Sequence, residues 1–150
     1  MRVDLILVLA ASLVTVPDRP PKTKSDPVKE DMKKLEGKWS IVSMESNGRT
    51  YPAATLQRLQ YKLEITRDQF IRETRGRKHA MTFKVDLSKN PKTMDLTTNT
   101  ARPRTYHAIF KLEGDTLTIC QAVGRGQRPT EFASQGAQRA LLMVWKRDKP

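Results

Sequence analysis

The feature that most constrains this chain is a two-residue alternation of apolar and polar side chains, which recurs from Gly37 to the C-terminal end. Residues 81–86, with the sequence MTFKVD, alternate throughout. A β-strand with this pattern has one dry face and one wet face, which excludes a parallel sheet buried on both sides. The alternation therefore predicts an all-β domain.

Turn signals divide the domain into eight predicted strands. The predicted strands are residues 38–46, 61–66, 69–74, 78–86, 94–98, 104–112, 116–122 and 139–147. Residues 53–60 contain good helix formers, with Leu56 and Leu59 at helical spacing, and predict a short helix between the first and second strands. Short links make neighbouring strands antiparallel, and eight such strands can close into an up-and-down barrel. The interior of such a barrel holds side chains or one small ligand.

Two segments of different character precede the predicted barrel domain, residues 35–148. Residues 1–16 contain an apolar run behind Arg2 that is shorter than the ~20 residues of a spanning helix. This pattern predicts an export signal, hence a periplasmic or extracellular protein, and no transmembrane span. Residues 17–34 are rich in Pro, Lys and Asp and predict a flexible linker. Its last part, from residue 27, can form one or two helical turns that lead into the domain.

The two ends of the predicted barrel sequence carry a matched pair of motifs. The first strand opens with GKW, which contains Gly37 and Trp39, and the last strand ends in WKR, which contains Arg147. A glycine lets the backbone pass close to a neighbouring group while the indole plugs one end of the barrel. A cation from the last strand can cover the ring, a contact worth ~1 kcal/mol. We therefore predict that Gly37, Trp39 and Arg147 close the barrel, an arrangement that resembles the lipocalin and calycin signature.

A wider resemblance covers residues 35–147. Its elements are LEGKW at 35–39 with a following Asn-Gly, NPKTMDL at 90–96, LEGDTLTIC at 112–120, RPTEF at 128–132 and the closing WKR. Together they resemble a small conserved domain found in many copies in planctomycete bacteria, a lipocalin-like family of unknown function. The resemblance implies a calycin-type barrel and export, and it implies no activity. Such domains usually carry Gly-Ile-Tyr where this chain has Ala108-Ile109-Phe110, so that tyrosine hydroxyl is missing here.

Residues with catalytic or metal-binding chemistry are few and scattered. Cys120 is the single cysteine, which excludes a disulfide within the chain, and its place in a strand predicts a small packing residue. His79 and His107 lie on different predicted strands without a short ligand spacing. The sequence has no nucleophile elbow, no phosphate loop and no paired carboxylates suited to acid–base work. It therefore predicts no enzyme, no metal site and no cofactor.

The net charge of +12 favours anionic partners, although the cations are spread along the chain. The densest cluster is a predicted hairpin tip with Arg72, Arg75, Arg77 and Lys78. It predicts a solvated tip or, second, a docking patch for an acidic protein or polysaccharide. Nucleic acid is disfavoured, because its binding would need aromatic platforms between the charges.

Arg128 is a separate candidate, in the long link before the last strand. It is either an anion contact at the barrel mouth or an arginine that fixes this link to a carboxylate such as Glu131 or Asp95. We favour the second interpretation, since the motifs shared with the family read as scaffold.

Two functions from different classes remain open. The first is binding of a small apolar or amphipathic molecule by a monomeric barrel. The predicted lining residues are Phe70, Met81, Phe83, Phe110 and Leu142, with Tyr106 near the mouth. The second is a protein- or envelope-interaction module that uses the basic loops and has a purely structural barrel.

Overall fold

A computed structural model describes residues 26–150 of the chain. Helix α1 (Pro27–Leu35) starts after Asp26, whose carboxylate accepts a hydrogen bond from the backbone N–H of Val28. A proline in the first turn and this cap both favour a helix start at this point. Leu35 is buried against the barrel core, so the end of the helix packs on the folded domain. The predicted export signal and residues 17–25 lie outside the described residues.

Antiparallel strands make up most of the domain, as the alternation predicts. They are β1 (Gly37–Ser46), β2 (Arg49–Thr50), β3 (Lys62–Ile65), β4 (Phe70–Thr74), β5 (Arg77–Asp86), β6 (Lys92–Thr98), β7 (Thr105–Glu113), β8 (Thr116–Ala122) and β9 (Ala140–Arg147). Strand β2 pairs only with the end of β1. Strand β1 also pairs with both β3 and β9, which closes the other eight strands into a barrel. Helix α2 (Ala53–Leu59) lies between the first two strands of the barrel, β1 and β3, which confirms the predicted fold.

The strand directions give the barrel two different ends. At one end lie the start of β1, the end of β9 and the β3–β4, β5–β6 and β7–β8 connections. At the other end lie α2, the β4–β5 turn, the β6–β7 connection and residues 123–139. We call the first the closed end and the second the mouth.

Large apolar side chains fill the barrel at the closed end and in its middle. The largest fully buried ones are Trp39, Trp145, Phe70, Leu35, Leu63, Ile65, Met94, Leu96, Ile109, Leu117, Ile119 and Met143. All but Ile109 belong to one continuous core cluster. Burying a side chain of this kind contributes ~1.5–3 kcal/mol, so this part of the barrel is a structural core.

A smaller buried cluster lies on the outer face of β7, β8 and β9. It contains Ile109, Cys120 and Ala140, with Leu142 and Phe132 packed against it. The Cys120 thiol lies 3.4 Å from the Ala133 carbonyl, and burial raises the pKa of this thiol to about 11. The segment between β8 and β9 therefore covers this face of the barrel.

The prediction that Leu142 lines the interior is wrong. Its strand neighbour Met143 belongs to the interior core, and Leu142 packs in the outer cluster. Successive side chains of a strand point to opposite faces, so these two residues cannot share one.

Candidate functional site

The three residues predicted to close the barrel meet at the closed end. Trp39 is fully buried, and its indole N–H donates to the Leu35 carbonyl at 3.2 Å. The Arg147 guanidinium carbon stands 4.2 Å from the centroid of the Trp39 ring. Gly37 has a φ of 136°, and a Cβ at this position would lie 2.7 Å from Nη1 of Arg147. Only glycine combines this backbone conformation with such a close approach.

The polar groups of Arg147 are already used within the domain. Its Nη1 donates to the Glu36 carbonyl at 2.7 Å, and its Nη2 donates to the Lys34 carbonyl. Its Nε lies 3.5 Å from a carboxylate oxygen of Asp115. The closed end is therefore a structural unit that ties α1 to the start of β1 and the end of β9.

The mouth contains a pocket of about 520 Å³ that reaches the barrel interior. Its lining includes Met81, Tyr61 and Tyr106, all of which belong to the core or pack against it. Volumes of ~300–1,000 Å³ are typical of small-molecule sites. Two larger depressions lie beside residues 46–52 and 123–139, but their lining contains no residue of the interior core cluster. The mouth pocket is therefore the candidate site.

Arg72 is the unusual residue of this pocket. It lies on the inner face of β4, opposite Leu63 of β3 and His79 of β5. Its guanidinium donates to the side-chain oxygen of Gln121 and lies 5.2 Å from the centroid of the Phe70 ring. The Nε atom is buried and has no hydrogen-bond partner among the described residues.

The surroundings of Arg72 do not neutralise its charge. Burial lowers the pKa of Arg72, and the nearby Tyr61 and Tyr106 oppose this effect only in part. The ion pairs among residues 26–150 do not include Arg72. No Asp or Glu occurs among the described residues that line the pocket, and Lys78 adds a second cation. The pocket is thus apolar at its floor and positively charged on one wall.

The structure separates the basic cluster predicted at the β4–β5 tip. Arg75, Arg77 and Lys78 are exposed at the mouth, as a solvated tip requires. Arg72 is not part of that tip, because it shares the inner face of β4 with Phe70, two residues earlier. The signal was present in the sequence, since strand alternation places residues 70 and 72 on one face.

Arg128 lies outside the lining of the mouth pocket and has structural partners on β6 and β7. Its Nη2 donates to the Asp95 carboxylate at 2.6 Å, and its Nη1 donates to the carbonyls of Ala108 and Met94 at 2.8 and 3.2 Å. The same Asp95 oxygen lies 2.8 Å from Nδ1 of His107. Of the two carboxylates considered from sequence, Asp95 is the partner. Arg128 therefore fixes the segment before β9 to β6 and β7. It is not part of the predicted anion patch.

The residues predicted to line a ligand site fall into two groups, those that line the mouth pocket and those that do not. Met81 and Tyr106 line the mouth pocket. Phe70 and Phe110 belong to the interior core and Phe83 packs against it, and none of the three lines the mouth pocket. Tyr61 and Gln121 were not predicted, although both line the pocket. Tyr61 also stacks on Trp145 with ring centroids 5.5 Å apart, which connects the pocket wall to the core.

Comparisons with known proteins leave the pocket to be interpreted from its own geometry. No protein-family model, curated protein or solved structure matches the chain. Between residues 26 and 150, no helix is both long and apolar enough to cross a bilayer. The same residues contain no group of three or more side chains arranged to hold a metal ion.

Proposed function

We propose that this chain is an exported, lipocalin-like binding protein for a small apolar or amphipathic molecule, held in the mouth pocket. The observation that carries the proposal is a pocket of about 520 Å³ that opens at the barrel mouth and ends on the core residue Met81. Export is proposed from the apolar run in residues 1–16 and from the family resemblance.

The chemistry of the pocket supports a ligand with an apolar part. Met81 and the rings of Tyr61 and Tyr106 offer apolar surface at the floor and wall. Removing apolar surface from water stabilises a complex by ~25 cal/mol per Å², so even a small ligand gains several kcal/mol by filling such a site. Methionine adapts its shape to different ligands because its side chain is unbranched and flexible.

The proposal is tested with a neutral fluorescent probe, N-phenyl-1-naphthylamine, titrated into the full chain. Met81→Trp places an indole in the pocket and is expected to weaken probe binding by roughly tenfold or more, a loss of about 1.4 kcal/mol. The matched control is Val28→Trp, because Val28 is exposed on α1 near the closed end. The control is expected to bind the probe like the unmodified chain.

A second measurement locates the probe independently of any substitution. Backbone amide chemical shifts of the unmodified chain are expected to change around Tyr106 and Met81 and to stay constant around Trp39. Absence of saturable probe binding, or shift changes confined to the outer surface, would remove small-molecule binding.

The second candidate function, docking of an acidic protein or polysaccharide, is favoured by one observation. Arg75, Arg77 and Lys78 are exposed together at the mouth. A charge-driven contact weakens as salt rises, because the screening length falls from ~10 Å at 0.1 M to ~3 Å at 1 M. Salt-sensitive binding to heparin without any binding of the neutral probe would favour this alternative.

A further inference from the structure

We infer that the molecule bound at the mouth carries a single carboxylate, which pairs with the Arg72 guanidinium while the apolar part of the molecule lies on Met81. This inference rests on the function proposed above and adds the chemical class of the ligand. It is motivated by a half-buried arginine with a buried Nε, which lines the pocket without an acidic partner among the described residues.

Arg72 lacks an acidic counter-charge among the described residues. Buried cations are normally paired with an acid, because burial removes water that would otherwise stabilise the charge. The partners of Arg72 are neutral groups, namely the amide oxygen of Gln121, the Tyr61 side chain and the face of the Phe70 ring. An anion that enters the pocket would supply the attraction that the protein's own groups do not.

Several cations surround the entrance of the mouth pocket. Lys78 lines the pocket, while Arg75 and Arg77 are exposed beside it. Arg102 and Arg104 are exposed in the β6–β7 connection at the same end of the barrel. Cations gathered at the opening of a cleft raise the local concentration of anions and speed their entry. The cations at the rim and Arg72 below them all favour a negatively charged ligand.

The single charge of Arg72 favours a ligand with a single negative charge. One guanidinium matches one negative charge, and its planar donors suit the two oxygens of a carboxylate. Lys78 is exposed, so water screens its charge. A phosphate monoester, which carries about −1.5 to −2 at neutral pH, therefore leaves part of its charge unpaired beside Arg72. Tyr61 and Tyr106 line the same pocket, and a tyrosine hydroxyl can donate to the remaining oxygen lone pairs.

The test compares three ligands with the same eight-carbon chain and different head groups. Octanoate, 1-octanol and octyl phosphate are each titrated calorimetrically into the full chain at neutral pH and low salt. Octanoate is expected to bind about tenfold to a hundredfold more tightly than 1-octanol, the range given by one charge-assisted hydrogen-bonded contact. Octyl phosphate is expected to bind no more tightly than octanoate.

Matched variants assign the preference to one residue. Arg72→Gln is expected to abolish the advantage of octanoate over 1-octanol. Arg67→Gln changes the net charge equally at an exposed turn of the closed end, and it is expected to keep the full advantage. Arg75→Gln removes an exposed rim cation and is expected to weaken octanoate by less than about threefold.

The Nε–H NMR signal of Arg72 in the unmodified chain gives a readout that does not depend on a variant's folding. It is expected to shift with octanoate and to shift far less with 1-octanol. Equal affinity for octanoate and 1-octanol overturns the carboxylate inference and leaves small-molecule binding intact. Failure of both these ligands and the neutral probe removes the proposed function as well. Tighter binding of octyl phosphate, or equal losses in Arg72→Gln and Arg67→Gln, also overturns the inference.

Discussion

Both ends of the barrel place an arginine over an aromatic ring, but the two arginines have different partners. Arg147 covers Trp39 at 4.2 Å and contacts two backbone carbonyls and the Asp115 carboxylate. Arg72 lies 5.2 Å from Phe70, donates to one neutral amide and keeps a buried Nε without a partner among the described residues. The contrast shows that the partners of a cation, rather than its type or its ring contact, distinguish a structural arginine from a candidate ligand-binding one.

The largest expected effect lies at the closed end. Trp39→Ala removes a fully buried indole, the contact below Arg147 and the hydrogen bond to Leu35, and is expected to cost about 3–5 kcal/mol of unfolding free energy. Urea denaturation measures this loss. The control is Tyr51→Ala, because Tyr51 is an exposed aromatic residue near the mouth and its loss is expected to cost less than about 1 kcal/mol. Similar losses for the two variants would contradict the structural role of the closed end.

The next comparison replaces each arginine with methionine. Arg147→Met is expected to lower the unfolding free energy by about 2–3 kcal/mol, because charge-assisted hydrogen bonds and a cation–π contact are lost together. Arg72→Met is expected to leave the free energy unchanged or to raise it by up to about 1 kcal/mol, since an unpaired buried charge is removed. Both values come from urea denaturation without added ligand. A loss for Arg72→Met as large as that for Arg147→Met would make both arginines structural and end the contrast.

The sequence could predict the closed end because its signal is local and regular. Alternation predicted the eight barrel strands, and the GKW and WKR motifs placed Gly37, Trp39 and Arg147 together. At these positions the strand pattern, the backbone requirement of glycine and the ring contact all favour one arrangement.

The mouth was predicted less well for physical reasons that two residues illustrate. Arg72 was grouped with neighbouring charges, although its position relative to Phe70 places it on the inner face, where a charge is not normally expected. Leu142 lies in β9, where Ala140 on the outer face and Met143 on the inner face are both buried. Residues 123–139 cover that outer face, so alternation no longer identifies the interior.

The smallest expected effect uses Arg128, which has the acidic partner that Arg72 lacks. Partial burial raises the pKa of Asp95, but hydrogen bonds from His107 and Arg128 outweigh it, so this pKa lies below its ordinary value of 3.8. A carboxyl with a lowered pKa in the folded state contributes stability above its unfolded pKa. That contribution is lost as the pH falls through the folded value. The stability advantage over Asp95→Asn should therefore shrink as the pH falls below about 4.

Urea denaturation at a series of pH values between about 2 and 6 measures this change. It is expected to stay below about 1 kcal/mol, because the Asp95 side chain is 37% exposed and solvent screens its contacts. Arg72→Gln is the control, since no ion pair of Arg72 occurs in the described part of the chain. The difference in unfolding free energy between Arg72→Gln and the unmodified chain should stay constant as Asp95 titrates. A difference for Asp95→Asn that stays constant over the whole range would contradict the pairing of Arg128 with an ionised carboxylate. In that case the lack of an acidic partner would no longer distinguish Arg72 from Arg128.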